Sequence, residues 1–94
     1  MYFILFYDYV DGILDKRQPY REGHLALLGE FVSRGELVMG GAFADPVDGA
    51  ALVFKVDDRS RVEAFMADDP YLANGLVTDW RIRPWSVVVG SYTS

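Results

Sequence analysis

Hydrophobic and polar positions follow two different periods along this chain, and the switches between them mark its elements. Residues 2–10 are apolar on both alternation sets, Tyr2, Ile4 and Phe6 against Phe3, Leu5, Tyr7 and Tyr9. A strand apolar on both sides wants cover on both faces and a central place in its sheet. Asp11-Gly12 ends it, and residues 11–18 form a polar connection in which Ile13 and Leu14 look buried. Pro19 suits the first turn of a helix. From there Leu25, Leu28, Phe31 and Val32 recur at helical spacing as far as Arg34, and Gly35 supplies a C-terminal stop. Gly23 inside this helix costs about 1 kcal/mol relative to alanine, which close approach of another group to the backbone would explain.

Residues 36–43 read as a second strand with paired glycines, Gly40 and Gly41, in its middle. The cluster Asp45-Pro46-Val47-Asp48-Gly49 turns the chain into a third strand over residues 50–56, forming a hairpin. Ser60-Arg61-Val62-Glu63 matches the capping-box pattern and opens a second helix whose inward face is Val62, Phe65 and Met66. Pro70 disfavours helical geometry at Asp69 and so ends it; residues 70–74 make one more turn, closed by Gly75. Residues 80–90 are a valine-rich last strand, and Pro84 assigns it to an edge. The order β-α-β-β-α-β is the ferredoxin-like arrangement, of α+β class. It predicts a four-stranded antiparallel sheet with both helices on one face and the first and third strands central. The other sheet face then has no helix to cover it.

The 94 residues are expected to form one domain, 1–94, and a composition that is 51% apolar builds a core without disulfides or metal. A domain of this size buries only a little over ~60% of its unfolded surface, so a partner subunit would help. The absence of cysteine removes thiol chemistry, disulfides and Cys-ligated metal. One histidine and no Gly-rich phosphate fingerprint leave no ligand set for a metal or redox cofactor, so none is expected. A net charge of −5 and a pI near 4.6 argue against nucleic acid and anionic membrane as partners. RNA binding across the sheet would need basic residues and RNP motifs that are absent. The apolar stretch Met1–Tyr7 meets Asp8 at once and is too short for a signal peptide or a membrane span, giving an expected cytoplasmic location.

Two titratable residues stand where core residues would. His24 precedes Leu28 and Phe31 by one and two helical turns, and Asp69 follows Val62, Phe65 and Met66 at helical spacing. A His–Asp pair at the edge of the core is one outcome; a histidine satisfied by backbone, and an aspartate that simply caps the turn begun by Pro70, is the other. Arg17 and Arg21 precede or open the first helix, where backbone N–H groups already favour anions, although surface arginines are common. Tyr71 lines a pocket or belongs to the core. Gly40 and Gly41 permit close approach of a ligand or of backbone. Tyr2, Phe6 and Trp85 fit a core or a subunit interface.

The chain resembles the YciI-like (YCII-related) proteins in Lys16-Arg17, Arg21 and His24-Leu25, in Gly35-x-Leu37 with Gly40-Gly41, in Asp69-Pro70-Tyr71 with Gly75, and in Ile82-x-Pro84-Trp85. These matches run in order from about residue 2 to residue 90. The chain departs at Gly41-Ala42, where Gly-Pro is expected. The resemblance implies a dimeric α+β barrel of two ferredoxin-like subunits with a pocket lined by a His–Asp pair. Relatives include a dehydrochlorinase of chlorinated hydroxyhydroquinones, and the wider fold includes muconolactone isomerases and cofactor-free oxygenases. On that footing His24 is the candidate general base or acid and Asp69 its orienting partner. Arg21 and Arg17 are candidates for holding an anionic substrate group, with Gly41 and Tyr71 in the pocket wall. Two functions from different classes follow. One is cofactor-independent proton transfer, an elimination such as dehydrochlorination or an isomerisation, on a small oxygenated cyclic or aromatic compound. The other is non-catalytic binding of a small molecule by a homodimer. Fold resemblance alone does not choose between them.

Overall fold

A computed structural model of the chain describes residues 1–91. β1 (Tyr2–Tyr9) leads through the single-turn α1 (Ile13–Lys16) and a 3-10 turn (Gln18–Tyr20) into α2 (Arg21–Ser33). The hairpin strands β2 (Leu37–Ala42) and β3 (Gly49–Lys55) follow, then α3 (Ser60–Asp68), the short α4 (Pro70–Ala73) and β4 (Val77–Trp85). The strands form one antiparallel sheet in the order β2-β3-β1-β4, the ferredoxin-like fold, with β1 and β3 central and β4 at an edge as Pro84 requires.

β1 is apolar on both sides, but the chain covers only one of them. Phe3, Leu5 and Tyr7 are buried beneath α2 and α3, whereas Tyr2, Ile4 and Phe6 are half-buried. Leu5 stands opposite Leu52 in β3 and Ile82 in β4, and this row meets Leu27 and Phe31 from α2 with Val62, Phe65 and Met66 from α3. Phe31, Phe54 and Phe65 pack edge to face, with ring centroids 5.3 Å (Phe31–Phe65), 5.5 Å (Phe54–Phe65) and 6.3 Å (Phe31–Phe54) apart. Full burial of each such side chain is worth about 1.5–3 kcal/mol. On the helix-free face, Ile4 and Phe6 accompany Val53, Met39 and Trp85, the last two about half exposed, and the Arg81 guanidinium lies 4.8 Å above the Phe6 ring.

Four local expectations are corrected. The inward face of α2 is His24, Leu27 and Phe31, while Leu25 and Val32 are exposed and Leu28 is half-buried. A helix with apolar residues on two neighbouring stripes can turn either one inward, and packing of Phe31 against Phe54 and Phe65 selects this one. Ile13 is buried but Leu14 is not, because a helix of one turn has a single inward position. Ser60 makes no side-chain cap on α3; the carboxylate of Asp58, two residues earlier, accepts from the Ser60 N–H at 3.2 Å. β4 ends at Trp85 instead of Gly90, since Trp85 pairs with Tyr2, where β1 itself begins. Residues 86–90 have no strand left to pair with.

Candidate functional site

Asp69 owes its position to Pro70. The proline ring forces the preceding residue out of helical geometry, and Asp69 is extended (φ −75°, ψ 114°) at the break between α3 and α4. There its side chain is fully buried and has three donors. Oδ1 accepts from the Tyr71 backbone N–H at 3.0 Å, which caps α4, and pairs with His24 Nδ1 at 2.8 Å. Oδ2 accepts from the Tyr7 hydroxyl at 2.7 Å. One carboxylate therefore acts as both cap and histidine partner. The arrangement is fully satisfied when Asp69 is ionised, and so only accepts, and Nδ1 of His24 carries the proton.

His24 reaches this carboxylate from the first turn of α2. Its ring stacks on Tyr71, with centroids 3.8 Å apart and planes 6° from parallel, and meets the edge of Phe65 at 6.5 Å. These contacts fix the ring plane, and the bond to Asp69 fixes its rotation. Nε2 is left without a protein hydrogen-bond partner among the described residues. Beside His24, a Cβ placed on Gly23 would stand 3.6 Å from the Pro70 ring, an ordinary contact. The expected neighbour is present, but it is close without being tight enough to demand glycine.

His24 lines a cleft of about 170 Å³ between the start of α2 and strands β2 and β3. Its other walls are Tyr9, Arg17, Arg21, Leu25, Leu28, Gly40, Gly41, Ala42, Ala50, Leu52 and Tyr71. Of the residues singled out from sequence, Arg17, Arg21, His24, Gly41 and Tyr71 share this cleft, and Asp69 lies behind His24. The two glycines differ. Gly40 pairs with Leu52, and a Cβ there would come within 3.2 Å of the Leu52 side chain, whereas one on Gly41 would meet nothing within 4 Å. Gly40 is thus the residue whose missing side chain leaves room beside Leu52.

Two cations and two phenols line the cleft, with the Asp69 carboxylate and the Tyr7 phenol behind it. The Arg17 Nε is buried with no hydrogen-bond partner, and neither Arg17 nor Arg21 forms an ion pair among the described residues. Burial pushes the Tyr9 hydroxyl up to about 12, with the Tyr71 and Asp69 charges adding and Arg17 opposing. Burial likewise raises Tyr71, against the pull of Arg17 and Arg21, which places both guanidinium groups within electrostatic reach of that phenol. Tyr7 is raised furthest, by burial first and then by the adjacent Asp69 charge. All three phenols are therefore neutral donors at physiological pH. Tyr7 and Tyr9 are the polar residues that sequence reasoning missed. Their signal was present: Tyr7 shares the inward alternation set of β1 with Phe3 and Leu5, and a tyrosine at a core position needs a partner for its hydroxyl.

The described residues contain no group of three or more His, Cys, Asp or Glu side chains able to hold a metal ion, and no helix long and apolar enough to cross a membrane. A family model described as the YCII-related domain matches residues 1–86. An uncharacterized protein of Haemophilus influenzae is 26% identical over 97 residues, covering 94% of this chain and 99% of that protein. The solved 5-chloro-2-hydroxyhydroquinone dehydrochlorinase from Burkholderia phenoliruptrix, in complex with 2,5-dihydroxybenzoquinone, has a TM-score of 0.78 at 21% identity, over 92% of this chain and 94% of that one. A NIPSNAP family protein from Agrobacterium tumefaciens has a TM-score of 0.58 at 16% identity, over 99% and 94% of the two chains. At these identities the two solved structures speak to the fold and not to the reaction.

Proposed function

This chain belongs to the YCII-related domain family, and on that premise we propose that it is a cofactor-independent enzyme that moves a proton on a small, oxygenated cyclic or aromatic compound. The observation that supports this reading is the state of His24. Its Nδ1 is tied to a buried carboxylate 2.8 Å away, and its Nε2 has no partner among the described residues and belongs to a side chain that lines a cleft. Such a ring has one nitrogen fixed and the other free to take a proton from a bound molecule.

In this reading Nε2 takes a proton from a carbon next to a carbonyl or phenolic oxygen. Asp69 holds the tautomer and stabilises the imidazolium that forms. Arg21 and Arg17, which have no carboxylate partner among the described residues, hold the oxygen on which negative charge develops. In an elimination the electron pair of the broken C–H bond forms the new double bond, the halide leaves with its own pair, and the imidazolium returns its proton to solvent. In an isomerisation the same proton returns to a different carbon. Gly41 and Tyr71 belong to the wall against which the ring of the substrate lies. The dehydrochlorinase among the structural relatives makes the elimination the first chemistry to try.

The helix-free sheet face fits a homodimer. An apolar patch built from Ile4, Phe6, Val53, Met39 and Trp85 is unusual on a soluble monomer. Light scattering at micromolar concentration should give about twice the 10.6 kDa chain mass, and a monomer would remove this part of the reading.

The function itself is tested with a panel of halogenated hydroquinones, other hydroxylated aromatics and lactones. Turnover that disappears in His24→Ala supports the enzyme. Tight binding of a panel member with no turnover would instead favour a non-catalytic small-molecule-binding homodimer.

A further inference from the structure

We propose that Tyr7 is a positioning residue for His24, acting through Asp69 from the side of the carboxylate that His24 does not touch. The Tyr7 hydroxyl donates to Oδ2 at 2.7 Å across 62 residues of sequence, and Tyr7 and Asp69 are 1% and 0% exposed. Tyr7 belongs to β1, a central strand hydrogen-bonded on both edges, so its hydroxyl is presented from the most firmly held part of the sheet.

The geometry gives this bond two effects. The Tyr71 N–H holds Oδ1 and the Tyr7 hydroxyl holds Oδ2, so the carboxylate cannot turn about its own axis. Oδ1 therefore stays aimed at Nδ1. The hydroxyl also draws negative charge toward Oδ2 and away from the imidazole. Removing it leaves more charge facing Nδ1 and favours the imidazolium. Tyr7 thereby tunes the base without touching substrate. The other charged or titratable groups around His24 are Tyr71 from α4, Tyr9 from β1, Arg21 at the start of α2 and Arg17 just before it. None of them bonds to Oδ2.

This inference rests on His24 being the proton carrier proposed above, but it is read from titration and not from turnover, so the two can fail separately. The chain has a single histidine, which makes its ring resonances unambiguous. In protein labelled with ¹³C at the tyrosine Cζ, the Tyr7 resonance, assigned through its backbone, should step with the same midpoint as His24. Asp69→Asn should abolish that step. Tyr7→Phe should move the His24 midpoint upward from the wild-type value, whereas Tyr2→Phe, on the opposite sheet face, should leave it in place. A Tyr7 resonance that stays flat through the His24 transition overturns the proposal, and that measurement needs only the wild-type protein. An unchanged His24 midpoint in folded Tyr7→Phe, or a step that survives Asp69→Asn, overturns it equally.

Discussion

The layer between sheet and helices has two ends built on opposite rules. At one, Phe31, Phe54 and Phe65 meet edge to face and carry no polar atom beyond the backbone. At the other, Tyr7, His24, Asp69 and the Tyr71 backbone satisfy one another through three hydrogen bonds around a single buried carboxylate. Phe65 is the hinge between them, since its ring touches both the phenylalanine cluster and His24. The dry end is held by area, and its loss is graded with the atoms removed. The polar end is held by complete pairing, so removing one group strands another. Only the second arrangement can fix a protonation state, and the cleft opens beside it.

The largest effect that can break this contrast is on turnover. On any panel substrate, His24→Ala and Asp69→Asn should each lower kcat by about 10²–10⁴-fold, and the double variant should lose no more than the worse single one. Circular dichroism should show all three folded; additive losses would reduce the polar end to independent parts. Next in size is the stability of the two ends, measured by urea unfolding. Phe54→Ala should cost about 3–5 kcal/mol, against about 1–3 kcal/mol for Tyr7→Phe, which leaves Oδ2 of Asp69 unpaired. Equal costs would erase the distinction.

The two ends should also differ in alkali. Tyrosines ionise near about 10 in the unfolded chain, while Tyr9 is held up to about 12 in the fold and Tyr7 is raised as well. Above the unfolded value the unfolded state binds fewer protons than the native one, so stability falls with rising pH. The contribution of these phenols is complete below about 10 and is lost as pH climbs through the Tyr9 value. Unfolding midpoints across that range should decline, and less steeply in Tyr7→Phe; a flat profile would contradict the burial of both hydroxyls. The smallest effect is a gain. Gly23→Ala should stabilise by about 0.5–1 kcal/mol, because the new methyl meets Pro70 at ordinary contact distance. A destabilised Gly23→Ala would show that the approach of α2 to Pro70 sets the alignment of the polar end.

Much of this was legible because the sequence signals were local and redundant. The doubly apolar β1 and the Pro84 edge strand each fixed a place in the sheet, and together they set the topology. Asp69-Pro70 was legible as a break with a cap. What escaped depended on contacts between distant elements. Leu25, Leu28 and Val32 make as good an apolar stripe as His24, Leu27 and Phe31, and only packing against Phe54 and Phe65 decides between them. Ser60 and Asp58 are both plausible caps, and the choice lies in where the first turn begins. Tyr7 was missed for a different reason: as one of eight apolar side chains in residues 2–10, it was read for its ring, although its place on the inward set with Phe3 and Leu5 also called for a hydroxyl partner. The valines after Trp85 suggested strand by propensity, yet pairing partners ran out before propensity did.

The central place of β1 has a consequence in time. The strand nearest the N-terminus pairs on one edge with residues 49–55 and on the other with residues 77–85. A chain emerging from the ribosome therefore carries an apolar strand with one edge open until its last strand is made, the state in which strands find wrong partners. The contacts that define the site span 45 and 62 residues, long closures that weigh on the folding rate. The basic nitrogen of His24 gains its fixed orientation only when those closures are complete, so a partly folded chain holds an ordinary histidine.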